Sequence, residues 1–257
     1  MRVCLTVAYD GTNYHGWQVQ PNGITIESVL NQALSDLLGE DVAVIGASRT
    51  DSGVHSLGNV AVFDTGTRIP AEKISYALNQ RLPEDIVVQN SCRVADDFHP
   101  RHCDSRKTYV YRILNRKFPD PLRRKDTYFY HHALDVGKMA RAARYLVGEH
   151  DFKSFCSIHT AVETTVRRIY ALEVKKDRDE IRILVCGSGF LYYMVRIIAG
   201  TLVQVGNGSL EPEDLQRILE QKDRSAAGPT APACGLTMEG IEFIDSEILR
   251  DYNTNTK

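Results

Sequence analysis

The chain has 257 residues, of which 43% are hydrophobic and 25% charged, and a net charge of −2. At ~150 residues per domain this is one large or two small domains, and such ordinary values exclude a wholly disordered chain. The apolar runs fall well short of the ~18 residues of a membrane span, no apolar h-region follows MRVCLTVAYDG, and the six cysteines form no CxxC pair. The expectation is a cytoplasmic protein with reduced thiols, no secretory leader and no structural metal site.

In chain order, VCLTVAYD (3–10) is β-rich and runs into the turn sequence DGTNYHG. TIESVLNQALSDLLG (25–39) has the apolar spacing of a helix, opened by a capping pair at Thr25 and Ser28 and stopped by Gly39. Short strands are expected at 42–48 and 58–65, with the polar loop RTDSGVHS (49–56) between them. A helix at 71–81 follows Pro70 and ends before Pro83, and a strand spans 86–94. SRKTYVYRILN (105–115) alternates, with Tyr109, Tyr111 and Ile113 on one face and Thr108, Val110, Arg112 and Leu114 on the other. TYFYHH (127–132) reads as a strand and 135–147 as a helix ending at Gly148. Strands at 166–176 and 181–187, helices near 190–204 and at 211–222, a loop at 228–235 and a last strand at 237–244 complete the order, and the tail NTNTK is expected to fray. Several strands are joined by segments too short for a crossover helix, which favours an α+β fold with a largely antiparallel sheet.

Charge is unevenly spread. Residues 93–144 carry 13 lysines and arginines against 6 acids, while both flanks are acidic or near neutral. This basic island suits a phosphate-facing surface, and equally a solvated face balanced by acidic neighbours. Three segments are candidates for chemistry. RTDSGVHS places Arg49, Asp51 and His55 in one short loop; the alternative is a simple Asx turn with a surface arginine. YDGTNYHGWQ (9–18) holds the chain's single tryptophan, with residues suited either to stacking on nucleotides or to a core and its turns. In GFLYYMVRIIAG (189–200), Arg196 stands alone in an apolar helix with no acid at i±3 or i±4. A buried arginine needs a distant carboxylate, Asp51 or Asp10, unless it snorkels to the helix edge.

These segments, in order with FHPRHCDSRKTYVYRI (98–113), GEHDFKSF (148–155) and APACGLTMEGIEF (231–243), resemble the tRNA pseudouridine synthase A family over residues 2–244. The resemblance implies the pseudouridine synthase α+β fold: two ferredoxin-like lobes sharing a mixed, largely antiparallel sheet with a central basic cleft. The expected division is an N-terminal lobe at 1–104 with the catalytic loop, a C-terminal lobe at 105–244, and a tail at 245–257. It further implies isomerisation of uridine to pseudouridine at positions 38, 39 and 40 of the tRNA anticodon stem-loop, by a homodimer, without cofactor or metal. Asp51 matches the family's catalytic aspartate, Tyr109 the tyrosine that stacks on the target base, Arg49 the arginine of tRNA binding and base flipping, and Arg196 the partner of the catalytic carboxylate. Ser48, Ser52, Tyr193 and Ile197 depart from residues common in the family at those places, beside the site residues and replacing none of them.

The reaction fits such an inventory. It cuts the N1–C1′ bond and rejoins the same uracil through C5, so nothing is oxidised and no group is supplied. A carboxylate attacks C1′ or helps remove a sugar proton; an arginine keeps it ionised; an aromatic ring holds the freed uracil. The cost of flipping the uridine from its stack is offset by phosphate contacts. From the basic island, Arg101, Arg106, Lys107, Arg123, Arg124 and Lys125 are the candidate RNA contacts. A silent RNA-binding module and a hydrolase using Asp51 with a second carboxylate such as Asp10 are the rival readings.

Overall fold

Strand β1 (Arg2–Tyr9) is buried without a break from Val3 to Val7, as a strand covered on both faces must be. It pairs antiparallel with β3 (His55–Asp64) on one side and β4 (Ile86–Val94) on the other, and β3 also pairs with the two-residue β2 (Ile45–Gly46). The two helices between these strands, α1 (Ile26–Leu38) and α2 (Ala71–Asn79), share one core with them. Its members include Val3, Leu5, Val7, Trp17, Ile26, Leu30, Leu34, Phe63, Ile74 and Leu78. The chain order β1-α1-β2-β3-α2-β4 with the sheet order β4-β1-β3-β2 is a ferredoxin-like arrangement.

The structure is a computed structural model and describes residues 1–160 and 162–244. The expected fraying of NTNTK therefore lies outside the described residues. The chain divides into two units, one built from residues 1 to 105 and 238 to 244, the other from the described residues between 106 and 237. Among the described residues, ten strands and five α-helices make it an α+β protein with a mixed sheet. Among the described residues, no helix is long and apolar enough to cross a membrane.

The second unit uses β5 (Ser105–Leu114), β6 (Tyr128–Phe129), α3 (Val136–Arg144), β7 (Gly148–Asp151), β8 (Val166–Asp177), β9 (Glu180–Gly187), α4 (Met194–Gly206) and α5 (Asp214–Gln221). Strands β5-β9-β8-β7 lie side by side and antiparallel, and β6 runs parallel to β5. The last strand, β10 (Leu236–Phe243), passes from this unit back into the first.

Differences from the sequence reading have local causes. Strand β7 was not expected: GEHD is four residues, polar, and carries no apolar alternation. Helix α2 stops at Asn79, where the side-chain amide turns to β4, accepting from Val88 N–H at 2.8 Å and donating to Val88 O at 2.9 Å. Helix α4 begins at Met194 rather than 190, because Tyr193 has φ +64° and a left-handed residue cannot join a right-handed helix. Helix α1 follows the reading closely. Ser28 N–H donates to Thr25 Oγ1 at 3.2 Å, Thr25 N–H donates to Ser28 Oγ at 3.1 Å, and Gly39 closes the helix at φ +69°.

Thr25→Ala removes one half of this capping pair, and a loss of about 1 kcal/mol is expected. Thr25→Ser should keep most of it. Urea unfolding monitored by circular dichroism checks this; equal midpoints for Thr25→Ala and the unsubstituted protein would refute the cap's contribution.

Candidate active site

The segment after β2 leaves the sheet at Ala47 and returns at His55, so eight residues form a loop anchored at both ends. Asp51 lies at the start of a tight turn. Val54 N–H donates to Asp51 O at 3.1 Å, and Gly53 takes φ +76°, the positive value such a turn demands at its third residue. The Asp51 side chain is half-buried, between the buried Thr50 and the exposed Ser52.

The loop does not hold this shape alone. The segment 10–17 lies against it and takes up its backbone groups. Gly53 N–H and Ser52 Oγ–H both donate to Tyr14 O, at 3.2 and 3.1 Å, and Trp17 N–H donates to Thr50 O at 3.1 Å. Two glycines permit the approach. A Cβ at Gly11 would lie 2.0 Å from Val54 O, and one at Gly16 2.6 Å from Thr50 O. Gly16 also has φ +85°, a conformation that glycine adopts without strain. Trp17 is fully buried with its indole over Gly46, where a Cβ would lie 2.2 Å from Nε1. The sequence reading left Trp17 open between a core residue and a stacking residue; the structure makes it core.

Beneath the loop, Tyr9 Oη and Thr50 Oγ1 are hydrogen-bonded at 2.8 Å, and Asn59 Nδ2 donates to Ser48 O at 3.0 Å. Burial pushes the Tyr9 phenol up to about 12, against the pull of its hydroxyl and amide neighbours, so it remains a neutral hydrogen-bonding group. Sequence reasoning missed Asn59. The signal was a fully buried amide inside the otherwise apolar run NVAVF, a place where a polar group needs a partner.

Arg49 is exposed at the entry to the loop. Arg101 approaches from the segment after β4, its Nε–H donating to Gly46 O at 2.7 Å. Partial burial, and after it the nearby Arg49 charge, hold the Arg101 guanidinium below its usual value. Two of the sequence-chosen cations thus stand close together beside the Asp51 loop.

In the second unit, Tyr109 and Tyr111 sit on one face of β5 as the alternation required, and both are buried. Their surroundings differ. Tyr111 is sealed in: its Oη–H donates to Pro232 O at 2.8 Å, its ring covers Gly235, and burial drives its phenol far above the ordinary range. Tyr109 meets Phe190 edge to face, with ring centroids 5.3 Å apart, and keeps 7% exposure. Arg196, in the first turn of α4, is half-buried. Its Nε–H donates to Ala231 O at 2.8 Å and its guanidinium lies 4.9 Å from the centre of the Tyr193 ring, which stacks in turn on Tyr192 at 3.9 Å. Gly200 lets the 228–231 loop settle on α4, since a Cβ there would be 1.9 Å from Pro229 O.

The remaining candidates spread over the second unit. Arg106 packs over the Tyr170 ring at 5.2 Å, and Lys107 stands opposite Gly187 in β5. Arg123 is paired with Asp179 and Glu180. Arg124 donates to Pro121 O at 2.7 Å, and both Arg124 and Lys125 are exposed. Among the described residues, no three His, Cys, Asp or Glu side chains are grouped to hold a metal ion.

Known proteins bear on this arrangement. The sequence pattern of a family described as tRNA pseudouridine synthase matches residues 5–102 and 142–243. Proteins described as tRNA pseudouridine synthase A are similar over almost the whole chain. That of Thermoanaerobacter sp. (strain X514) is 49% identical over 241 residues, covering 94% of this chain and 99% of the relative. That of Ruminiclostridium cellulolyticum is 48% identical over 243 residues, and that of Brevibacillus brevis 47% over 242, with the same coverage. Among solved structures, an archaeal box H/ACA sRNP Nop10–Cbf5 complex covers 88% of this chain and 59% of its own at 13% identity and a TM-score of 0.37, too distant a likeness to carry an argument. With the family pattern spread over both units, and relatives nearly half identical along the whole length, this chain belongs to the tRNA pseudouridine synthase family, isomerases that act on tRNA uridines.

Proposed function

We propose that the chain converts uridine to pseudouridine at positions 38, 39 and 40 of the tRNA anticodon stem-loop, with Asp51 as the reacting carboxylate and no cofactor. The observation that carries this reading is the Asp51 turn itself. It is a half-buried carboxylate on a loop whose backbone is claimed by a second loop, in a chain matched over 94% of its length by tRNA pseudouridine synthase A relatives. A carboxylate held this way is ready either to attack C1′ or to take a sugar proton, without first ordering its own loop.

The other roles follow from the resemblance. Tyr109 stacks on the target uracil, its ring already fixed on one edge by Phe190. Arg49, with Arg101 beside it, meets the backbone of the flipped nucleotide. Arg196, oriented by Ala231 O and the Tyr193 ring, supplies the counter-charge to the catalytic carboxylate. Arg106, Lys107, Arg123, Arg124 and Lys125 contribute positive charge to the RNA surface. The enzyme acts as a homodimer in the cytoplasm, with tRNA lying across both subunits. Asp10, the second carboxylate that a hydrolase would draw on, uses Oδ1 to accept from both Thr12 N–H and Thr12 Oγ–H, at 3.0 and 2.5 Å.

Asp51→Asn is expected to abolish turnover while stem-loop affinity stays within about tenfold, ~1.4 kcal/mol. Tritium release from 5-³H-uridine in an anticodon stem-loop transcript, read beside a filter-binding titration, checks both halves. Near-normal product from the purified variant removes Asp51 from its role, and release of free uracil by the unsubstituted protein replaces isomerisation with hydrolysis.

Tyr109 and Tyr111 separate function from packing on a single strand face. Tyr109→Ala is expected to lower kcat by roughly 100-fold or more, while Tyr111→Ala chiefly lowers stability, by about 3 kcal/mol or more. Thermal unfolding combined with specific activity of the folded fraction tells them apart. Equal stability losses with unchanged specific activity in both variants would make Tyr109 another core tyrosine.

Affinity for tRNA is expected to fall steeply with salt, each phosphate contact adding roughly 0.7–0.9 to the slope of log affinity on log salt. Neutralising Arg124 and Lys125 together should flatten the slope by about 1.5–2. Arg123→Gln should change it less, because Asp179 and Glu180 already neutralise that guanidinium. An unchanged slope in the double variant would place the RNA contacts elsewhere.

A further inference from the structure

His55 closes the Asp51 loop and has no part in the chemistry described so far. It is 7% exposed at the first position of β3, four residues after Asp51. Its Nδ1 accepts a hydrogen bond from Gly11 N–H at 3.1 Å. That donation makes Nδ1 the unprotonated nitrogen and leaves the ring proton on Nε2. Nε2 is buried and meets no hydrogen-bonding group among the described residues. The Nδ1 atom also lies 3.2 Å from Asp10 Oδ1, an oxygen already accepting from both Thr12 donors. In the neutral ring, Nδ1 serves Gly11.

The Gly11 bond completes a ring of contacts around Asp51. From His55 the path runs to Gly11 N–H, then through the 3₁₀ turn in which Tyr14 N–H donates to Gly11 O at 3.0 Å. From Tyr14 O it continues to Gly53 N–H and Ser52 Oγ, and through Val54 N–H back to Asp51 O. Val54 then joins His55 covalently. Gly11 cannot carry a Cβ here, because Val54 O fills the space. At the Gly11–His55 end the two loops meet through the Gly11 N–H to His55 Nδ1 hydrogen bond, the 3.2 Å approach of His55 Nδ1 to Asp10 Oδ1, and a bare backbone contact between Gly11 and Val54 O. Backbone hydrogen bonds on the Tyr14 and Trp17 side tie the other end.

We infer that His55 is a positioning residue for the pseudouridylation reaction, holding the Asp51 turn in its reactive geometry through the Gly11 N–H. This rests on the reading of Asp51 as the reacting carboxylate. Loss of the bond opens the ring at one end and lets the turn shift while the rest of the fold remains. A displacement of about 1 Å at a reacting group lowers a rate by roughly 100-fold. The RNA contacts of arginines elsewhere are not disturbed.

The test uses the geometry of asparagine and glutamine. Asn Oδ1 stands at the same branch position as His Nδ1 and can accept from Gly11 N–H; the Gln amide reaches instead to the position of Nε2. In single-turnover assays on an anticodon stem-loop transcript, His55→Gln is expected to lower the rate at saturating RNA by about 100-fold with the dissociation constant within about threefold. His55→Asn should recover all but about fivefold of the rate. In the RNA-free protein, Gly11 amide hydrogen exchange is expected to be about tenfold faster in His55→Gln than in His55→Asn or the unsubstituted protein. A merely structural histidine would lower unfolding temperature in both variants, with equal rates in their folded fractions. Equal rates for the two variants, or equal Gly11 exchange in all three proteins, overturns the inference. If Asp51→Asn keeps turnover, the Asp51 reading fails first, and the exchange result still decides whether His55 holds Gly11.

Discussion

The candidate site depends on the contact between two loops, one of which contains the 3₁₀ turn Gly11–Asn13. Residues 10–17 and 49–55 meet backbone to backbone at Tyr14 O and Thr50 O, and through the Ser52 and His55 side chains at Tyr14 O and Gly11 N–H. Such contacts need backbones closer than side chains allow, and the glycines at 11 and 16 remove the Cβ atoms that would collide. Each loop follows directly from a strand of one antiparallel core, β1 and β2. The core therefore fixes where the loops start, and the hydrogen bonds between them fix where Asp51 ends up.

A similar device recurs in the second unit. Arg196 N–H and C=O groups meet an irregular segment rather than a helix or strand: Nε donates to Ala231 O and the Arg196 carbonyl accepts from Ala231 N–H at 3.1 Å. Gly200 makes room for that segment. The left-handed Tyr193 starts α4 late and brings its ring against the guanidinium. A non-glycine residue in that conformation carries strain of order 1–3 kcal/mol, offset by the surrounding contacts, and such strain clusters at functional positions. In both units a segment bearing a charged residue chosen for function meets the backbone of another irregular segment that glycine allows to come close.

Much of this was legible in the residues. Periodicity and caps placed β1, α1, β4, β5, β8 and β9 nearly where they lie, because a continuous or alternating apolar pattern leaves each strand or helix one way to bury itself. The six ordered motifs pointed to the family to which the chain belongs. What escaped was short or non-periodic. The four polar residues of β7 have no pattern of their own. Asn59 gains its role from Ser48, eleven residues away, and Arg123 is occupied by Asp179 and Glu180, more than fifty residues away.

By itself the sequence determined the α+β class, the order of the elements and the family, and it singled out Asp51, His55 and the glycine-rich 10–17 segment as neighbours in the chain. Only the tertiary structure decided that the two loops share one set of hydrogen bonds, that Trp17 belongs to the core, and that His55 presents Nδ1 to Gly11. The division has a physical reason. Secondary structure follows from local steric preference and a repeating pattern of burial, which a sequence displays directly. A hydrogen bond between loops needs atoms about 40 residues apart to be placed about 3 Å from each other, to within a few tenths of an ångström, and that distance is set by the packing of everything between them.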